Sequence, residues 1–79
     1  MRIIIEGWSN IRDEYVPVTI DAELDRFGYL DGWKLLEIEA HPVHTDHASI
    51  WADELGITDD MVEIVARKEA GLDQVGFTS

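Results

Sequence analysis

The hydrophobic periodicity of the chain changes at Pro42. Before this residue, apolar side chains recur at every second position, as in Val16, Val18 and Ile20, which is the period of a half-buried β-strand. After it, they recur at the three- and four-residue spacing of an amphipathic helix. A chain with strands in its first half and helices in its second is expected to fold as an α+β domain around one core.

Three strands are predicted, in residues 3–5, 15–21 and 33–40. The first is a β-branched run that ends at turn-forming residues, and the other two alternate between two faces. Pro17 has no amide hydrogen, which places the second strand at a sheet edge or beside a bulge. In the third strand, simple alternation predicts that Leu36, Ile38 and Ala40 face the core. Leu35 is then expected on the wet face.

Three helices are also predicted. A short one begins at Asp21 and ends at Asp31-Gly32. Asp46 is expected to cap a helix over residues 47–55, and Thr58 to cap another over residues 59–70. The predicted order is β-β-α-β-α-α: a small, three-stranded, mainly antiparallel sheet with a short helix and a C-terminal helical hairpin.

Length and composition favour a single domain over residues 1–79. Hydrophobic residues make up 46% of the 79 residues, enough for one core, and there is no cysteine for disulfide bonds or thiolate chemistry. Val75 and Phe77 either add to this core or fray with the tail. No apolar run approaches the roughly 20 residues of a membrane-spanning helix. We therefore expect a soluble cytoplasmic protein that does not bind membranes.

The charge balance is the strongest functional signal. Seventeen Asp and Glu oppose six Lys and Arg, for a formal net charge of -11. Such a surface repels phosphate backbones and anionic lipids, and it attracts basic clefts. The sequence therefore predicts a protein partner with a basic cleft and no direct binding of nucleic acid. Two alternatives remain open, namely that the acids serve solubility or that they reflect a high-salt source.

Acidic residues are concentrated in residues 46–63, which contain no Lys or Arg. Carboxylates one helical turn apart lie about 5–6 Å from each other, close to the interval between successive phosphates of a nucleic-acid strand. Such a surface is able to occupy a nucleic-acid channel. The predicted partner-binding residues are Asp53, Glu54, Asp59, Asp60 and Glu63.

The same region has the spacing of a helix-turn-helix at Ala52, Gly56, Ile57, Val62 and Val65. The positions that would face a DNA groove carry acids, which phosphates repel. We interpret the pattern as a helical hairpin and keep a helix-turn-helix-like DNA binder as a lesser alternative.

Three histidines, His41, His44 and His47, are weak candidate metal ligands together with Asp46. Pro42 interrupts any helix that would align them, and no second ligand cluster accompanies them. We expect no metal and no cofactor. The chain also has no recognisable nucleophile setting and no glycine-rich phosphate loop, so we expect no enzymatic activity.

Aromatic residues suggest another way of binding. A core of this size hardly hides three indoles, and exposed aromatics concentrate binding energy. Trp8, Trp33 and Trp51 are therefore possible anchors. This favours an alternative function as a small regulatory or assembly module, antitoxin-like or an accessory subunit.

In size, acidity, absence of cysteine and absence of catalytic groups, the chain resembles the small acidic inhibitors that phages encode, of the anti-CRISPR and DNA-mimic type. This resemblance implies a non-catalytic protein in the host cytoplasm. It would block a basic nucleic-acid-binding surface of a host defence or transcription complex.

Overall fold

The computed structural model describes residues 1–72. In this part of the chain, one antiparallel sheet has four strands in chain order, and two helices follow it. The elements are β1 (Arg2–Ser9), β2 (Glu14–Leu24), β3 (Leu30–Ile38), β4 (His41–Pro42), a 3-10 turn (Thr45–His47), α1 (Ala48–Glu54) and α2 (Asp59–Glu69). The predicted α+β class is confirmed, but the three strands and their order are not. Val75 and Phe77 lie outside the described residues.

Both helices pack on the same face of the sheet and bury its alternate side chains. Every second residue of β2 from Val16 to Ala22 is buried, as the alternating sequence predicts. The rest of the buried core comes from Ile3, Ile5, Leu35, Ala48, Ala52, Leu55, Ile57, Val62 and Ala66. The opposite face of the sheet carries neither helix.

The helix predicted between the second and third strands is wrong. β2 continues to Leu24 and β3 begins at Leu30, so a tight loop joins them. In this loop, Asp25 Oδ1 accepts hydrogen bonds from the amides of Phe27, at 2.9 Å, and Tyr29, at 3.0 Å. Gly28 has a φ of 87°, which favours glycine. Aspartate stabilises turns through such side-chain bonds to the following amides, and here this outweighs a weak helical pattern.

The predicted faces of the third strand are correct for Ile38, which packs against the core, but wrong for Leu35, because β3 contains a bulge. Ala40, predicted on the core face, is exposed in the turn after β3. Ile20 pairs with Leu35 and Val18 pairs with Ile38, so Leu36 is an extra residue between the two core pairs. A bulge shifts the alternation by one position. Leu35 is accordingly buried, with 3% of its surface exposed, although simple alternation placed it on the wet face.

Pro17 does not mark a sheet edge, because β2 lies between β1 and β3. Its carbonyl accepts a hydrogen bond from the amide of Glu39 at 2.8 Å, just beyond the last residue of β3. The N and O of one strand residue face the same neighbour. The missing amide hydrogen therefore faces the place where β3 ends, and little pairing is lost.

The two helices form the predicted hairpin with different boundaries. α1 has only seven residues, and the preceding 3-10 turn displaces the expected cap at Asp46. Thr58 caps α2 as predicted, accepting from the amide of Met61 at 3.3 Å. Val62 is buried, whereas Val65 is only partly buried. None of the helices in residues 1–72 is long and apolar enough to cross a membrane.

A two-residue turn joins β3 to β4 and holds two non-glycine residues in the left-handed region. Glu39 has a φ of 52° and Ala40 a φ of 67°. Positive φ at both central residues is the signature of a type I′ turn, which normally prefers Asn-Gly. The left-handed region costs an alanine about 1–2 kcal/mol, so this turn carries backbone strain.

Replacing Ala40 by Gly is expected to stabilise the protein by about 1 kcal/mol, because relief of the left-handed strain exceeds the added entropy of the unfolded chain. For a domain of this size, the expected rise in Tm is about 4–8 °C. Circular dichroism melting measures it. The matched control is Ala70→Gly, since Ala70 is also exposed but has a φ of -78°. A lower Tm for Ala40→Gly would contradict the assigned strain.

Candidate functional site

The five acids predicted to bind a partner lie at the junction of α1 and α2. Asp53 and Glu54 occupy the last turn of α1, and Asp59 and Asp60 the first turn of α2. These four residues are exposed, and Glu63 is half-buried one turn further along α2. The helical hairpin therefore brings the predicted acids into one region of the molecule.

Two of these acids accept hydrogen bonds from β3. Asp59 Oδ1 accepts a hydrogen bond from the indole N–H of Trp33 at 2.7 Å. Glu63 Oε2 accepts from the backbone amide of Leu30 at 2.9 Å. Both bonds tie the first part of β3 to α2, so these carboxylates have a structural role that sequence reasoning missed.

The other three acids have no such role. Within residues 1–72, the carboxylates of Asp53, Glu54 and Asp60 form no hydrogen bond and no ion pair. Asp60 is favoured by the positive N-terminal end of α2. Asp53 and Glu54 lie at the C-terminal end of α1, where the helix dipole disfavours negative charge. Folding alone does not explain this pair.

A groove of about 440 Å³ opens at one end of the molecule, between the β1–β2 turn, the β3–β4 turn and α1. Ile11 is 87% exposed at its edge, although isoleucine is normally buried. Other apolar residues of the lining are Val16, Ile38, Pro42, Val43, Trp51 and Leu55. The groove is an apolar surface of the kind that binds ligands or partners.

Arg12 lies on the wall of this groove and connects its two turns. It forms an ion pair and a hydrogen bond with Glu39, and its Nε lies 3.3 Å from Glu14 Oε1. The hydrogen bond to Glu39 and the negative charges of Glu39 and Glu14 raise the pKa of Arg12 above its ordinary value. Its positive charge is thus matched by neighbouring acids, and this end of the molecule has no excess of positive charge.

The three tryptophans lie in different settings. Trp33 is half-buried, with its indole N–H bonded to Asp59. Trp8 is exposed on the open face of the sheet and packs edge-on against Tyr15, with ring centroids 5.0 Å apart. Trp51 is exposed in the apolar groove. The structure thus leaves Trp8 and Trp51 accessible, on two separate surfaces.

His44 and His47 lie close together without forming a ligand set. The rings of His44 and His47 are 5.8 Å apart, and His44 Nδ1 accepts from the amide of Asp46 at 3.3 Å. In residues 1–72, no group of three or more His, Asp or Glu side chains is arranged to hold a metal ion. That the protein binds no metal in solution stays a prediction.

In residues 1–72, the start of α2 presents acids where a helix-turn-helix protein would face DNA. The exposed first turn of α2 presents Asp59 and Asp60. At the other end of α2, the Arg67 guanidinium donates to the carbonyl of Gly28 at 2.6 Å and lies 5.6 Å from the ring centroid of Tyr29. Arg67 therefore supports the β2–β3 loop. A role in reading DNA finds no support in this arrangement.

Sequence reasoning did not identify the apolar groove, because its lining comes from three distant segments of the chain. The local signals were Ile11, an apolar residue inside a polar turn, and Trp51, predicted as a possible anchor. Comparisons of the chain with protein-family models, curated proteins and solved structures found no match.

Proposed function

We propose that this protein is a non-catalytic inhibitor that blocks a basic, nucleic-acid-binding surface of a host defence or transcription complex. The observation that carries the proposal is the set of exposed and uncommitted acids Asp53, Glu54 and Asp60, in a molecule of net charge -11. Asp59 and Glu63 serve this surface by fixing α2 on the sheet.

The acids act mainly on the rate of encounter. A strongly negative molecule is drawn to a positively charged cleft, and complementary charge raises association rates more than it raises final affinity. Carboxylates that are exposed and form no bond within residues 1–72 lose no partner there on binding. Those at the end of α1 also lose an unfavourable interaction with the helix dipole when a cation covers them.

Neutralising Asp53, Glu54 and Asp60 together, to Asn, Gln and Asn, is expected to slow association about tenfold while leaving the fold intact. The partner is recovered by pull-down from host extract at low and at high salt, and association is then measured by surface plasmon resonance. Recovery should fall at high salt, because exposed charge pairs are screened over about 8–10 Å at physiological ionic strength.

The matched control neutralises Asp13, Glu23 and Glu37, three acids of the β1–β2 turn and of the sheet face that carries no helix, which form no described ion pair. This variant has the same net charge as the test variant. If both variants slow association equally, the charge acts as a diffuse field and the assigned surface is wrong. If neither has an effect, the acids serve solubility or a high-salt source.

The apolar groove supports a second candidate function, a regulatory or assembly module that docks through aromatic residues. Trp51 and Ile11 would be its anchors, since exposed aromatics concentrate binding energy. In that case Trp51→Ala should abolish recovery of the partner at every salt concentration, and the triple acid variant should bind normally. The inhibitor proposal predicts instead that the triple acid variant associates more slowly and that Trp51→Ala binds normally.

A further inference from the structure

Strand β1 forms a long and regular edge of the sheet. It pairs with β2 over the eight residues Arg2–Ser9 without any shift of register. The opposite edge, β4, has only two residues, one of which is Pro42. Natural sheets shorten or interrupt their edges in this way, because a long open edge binds further strands. β1 contains no proline, no lysine and no bulge.

Alternate residues of β1 direct their backbone groups away from the sheet. Met1 bonds to Ala22 through both its carbonyl, at 2.8 Å, and its amino group, at 2.6 Å. Odd-numbered residues therefore face β2, and even-numbered residues face outwards. The amide of Trp8 accordingly donates to the carbonyl of Leu55 at 3.0 Å, outside the sheet. No backbone group of residues 1–72 bonds to the outward-facing groups of Arg2, Ile4 and Glu6.

The side chains of this open stretch are complementary to themselves. Arg2, Ile4 and Glu6 are exposed and alternate with the buried Ile3 and Ile5, so they share the open face of the sheet. Ile4 is 66% exposed. A two-fold rotation at Ile4 places Arg2 opposite Glu6 of a second copy, and Ile4 opposite Ile4. Cross-strand pairs of opposite charge and apolar pairs both stabilise sheets.

We propose that β1 pairs antiparallel with β1 of a second copy of this chain, about a two-fold axis at Ile4. The three facing residue pairs form about six backbone hydrogen bonds and join the two sheets into one. The contact is isologous, because the same residues of both copies meet. It buries Ile4 and leaves the helical hairpin free.

The net charge opposes this contact. Each copy carries a charge of -11, so two copies repel each other over distances that salt screens. Raising the salt concentration should therefore strengthen the dimer. Binding to a basic partner should instead weaken as the salt concentration rises. Failure of the dimer proposal is therefore distinguishable from failure of the inhibitor proposal.

The experiment is sedimentation equilibrium of the full chain and of two charge-reversed variants. Arg2→Glu places Glu opposite Glu6 of the second copy, and Glu6→Arg places Arg opposite Arg2, so each variant alone should dimerise at least about tenfold more weakly. A 1:1 mixture of the two restores opposite charges at both positions. The mixture should form a heterodimer as tightly as the original protein does.

Lys34→Glu and Glu23→Arg are the controls, since both positions are exposed, lie outside β1 and change the net charge by the same amounts. Circular dichroism establishes that every variant is folded. A monomer at all protein and salt concentrations would overturn the proposal. So would a dimer that the variants in β1 leave unchanged, since another surface would then form it.

Amide hydrogen exchange locates the contact directly. The amides of Ile4 and Glu6 should become protected as the protein concentration rises. Protection that does not depend on concentration would show that another part of the same chain covers the edge, and it would overturn the dimer. Free exchange at every concentration would also overturn it, and would leave the edge open to a strand from a different protein.

Discussion

The variant Val62→Asp is expected to lose its cooperative thermal transition at neutral pH. Val62 has no exposed surface and lies on the face of α2 that packs against the sheet. No polar or charged residue is buried in residues 1–72, so the new carboxylate has no buried partner there. Such substitutions cost several kcal/mol, a large part of the about 5–15 kcal/mol that stabilises a typical domain.

The loss should depend on pH in a defined direction. Burial disfavours the charged form, so the folded state holds the added Asp protonated above its ordinary pKa of about 3.9. Relative to the original protein, the destabilisation is smallest below about pH 4 and grows as the pH rises, because the unfolded chain then releases the proton first. Urea unfolding at several pH values measures this trend. Val62→Asn should show the destabilisation without the trend.

Ile64→Asp is the matched control, because Ile64 is 60% exposed on the same helix. Its free energy of unfolding should change by less than about 0.5 kcal/mol, as at most surface positions. If Ile64→Asp and Val62→Asp destabilise the protein equally, the buried face of α2 is assigned wrongly.

The elements with strong periodicity were predictable from the sequence. The alternation in β2 identifies its buried face, because a strand has a fixed period of two. Thr58 and the acids after it identify the start of α2, because the cap bond is local in sequence. In both cases neighbouring residues determine the outcome, and no knowledge of distant contacts is needed.

The errors arose where distant contacts or single residues decide the structure. The bulge at Leu36 depends on pairing with β2, and one inserted residue exchanges the two faces in the part of β3 that precedes it. The loop at Asp25 was mistaken for a helix because Leu24 and Phe27 have helical spacing, whereas the side-chain bonds of Asp25 favour a turn. Periodicity alone does not register either feature.

The candidate site was predictable only in part. The sequence located the acids, but their division into committed and uncommitted carboxylates required the bonds from Trp33 to Asp59 and from Leu30 to Glu63. These partners are separated by 26 and 33 residues. The groove around Trp51 likewise depends on how the sheet and α1 meet. Local pattern thus predicted residue types, and the tertiary fold determines which of them are available to a partner.

The variant Gly7→Val is expected to destabilise the protein by about 3 kcal/mol, because the added side chain has no space. Gly7 is buried in β1, and a Cβ at this position would lie 2.9 Å from Leu55 Cβ and 3.2 Å from Val18 Cγ2. Both neighbours belong to the core. Glycine therefore permits the end of α1 to approach β1 closely enough for the Trp8 amide to bond to the Leu55 carbonyl at 3.0 Å.

The same substitution at Gly32 separates this close approach from the general effect of valine in a strand. Gly32 lies in β3, and a Cβ there would meet no atom within 4 Å. Gly32→Val should be neutral or slightly stabilising, since valine favours strands and reduces the freedom of the unfolded chain. Urea unfolding of both variants, with Gly7→Ala as an intermediate, measures the difference. Equal stability of the two valine variants would show that the end of α1 does not pack against β1 at Gly7. The position of Leu55 in the lining of the apolar groove would then also be wrong.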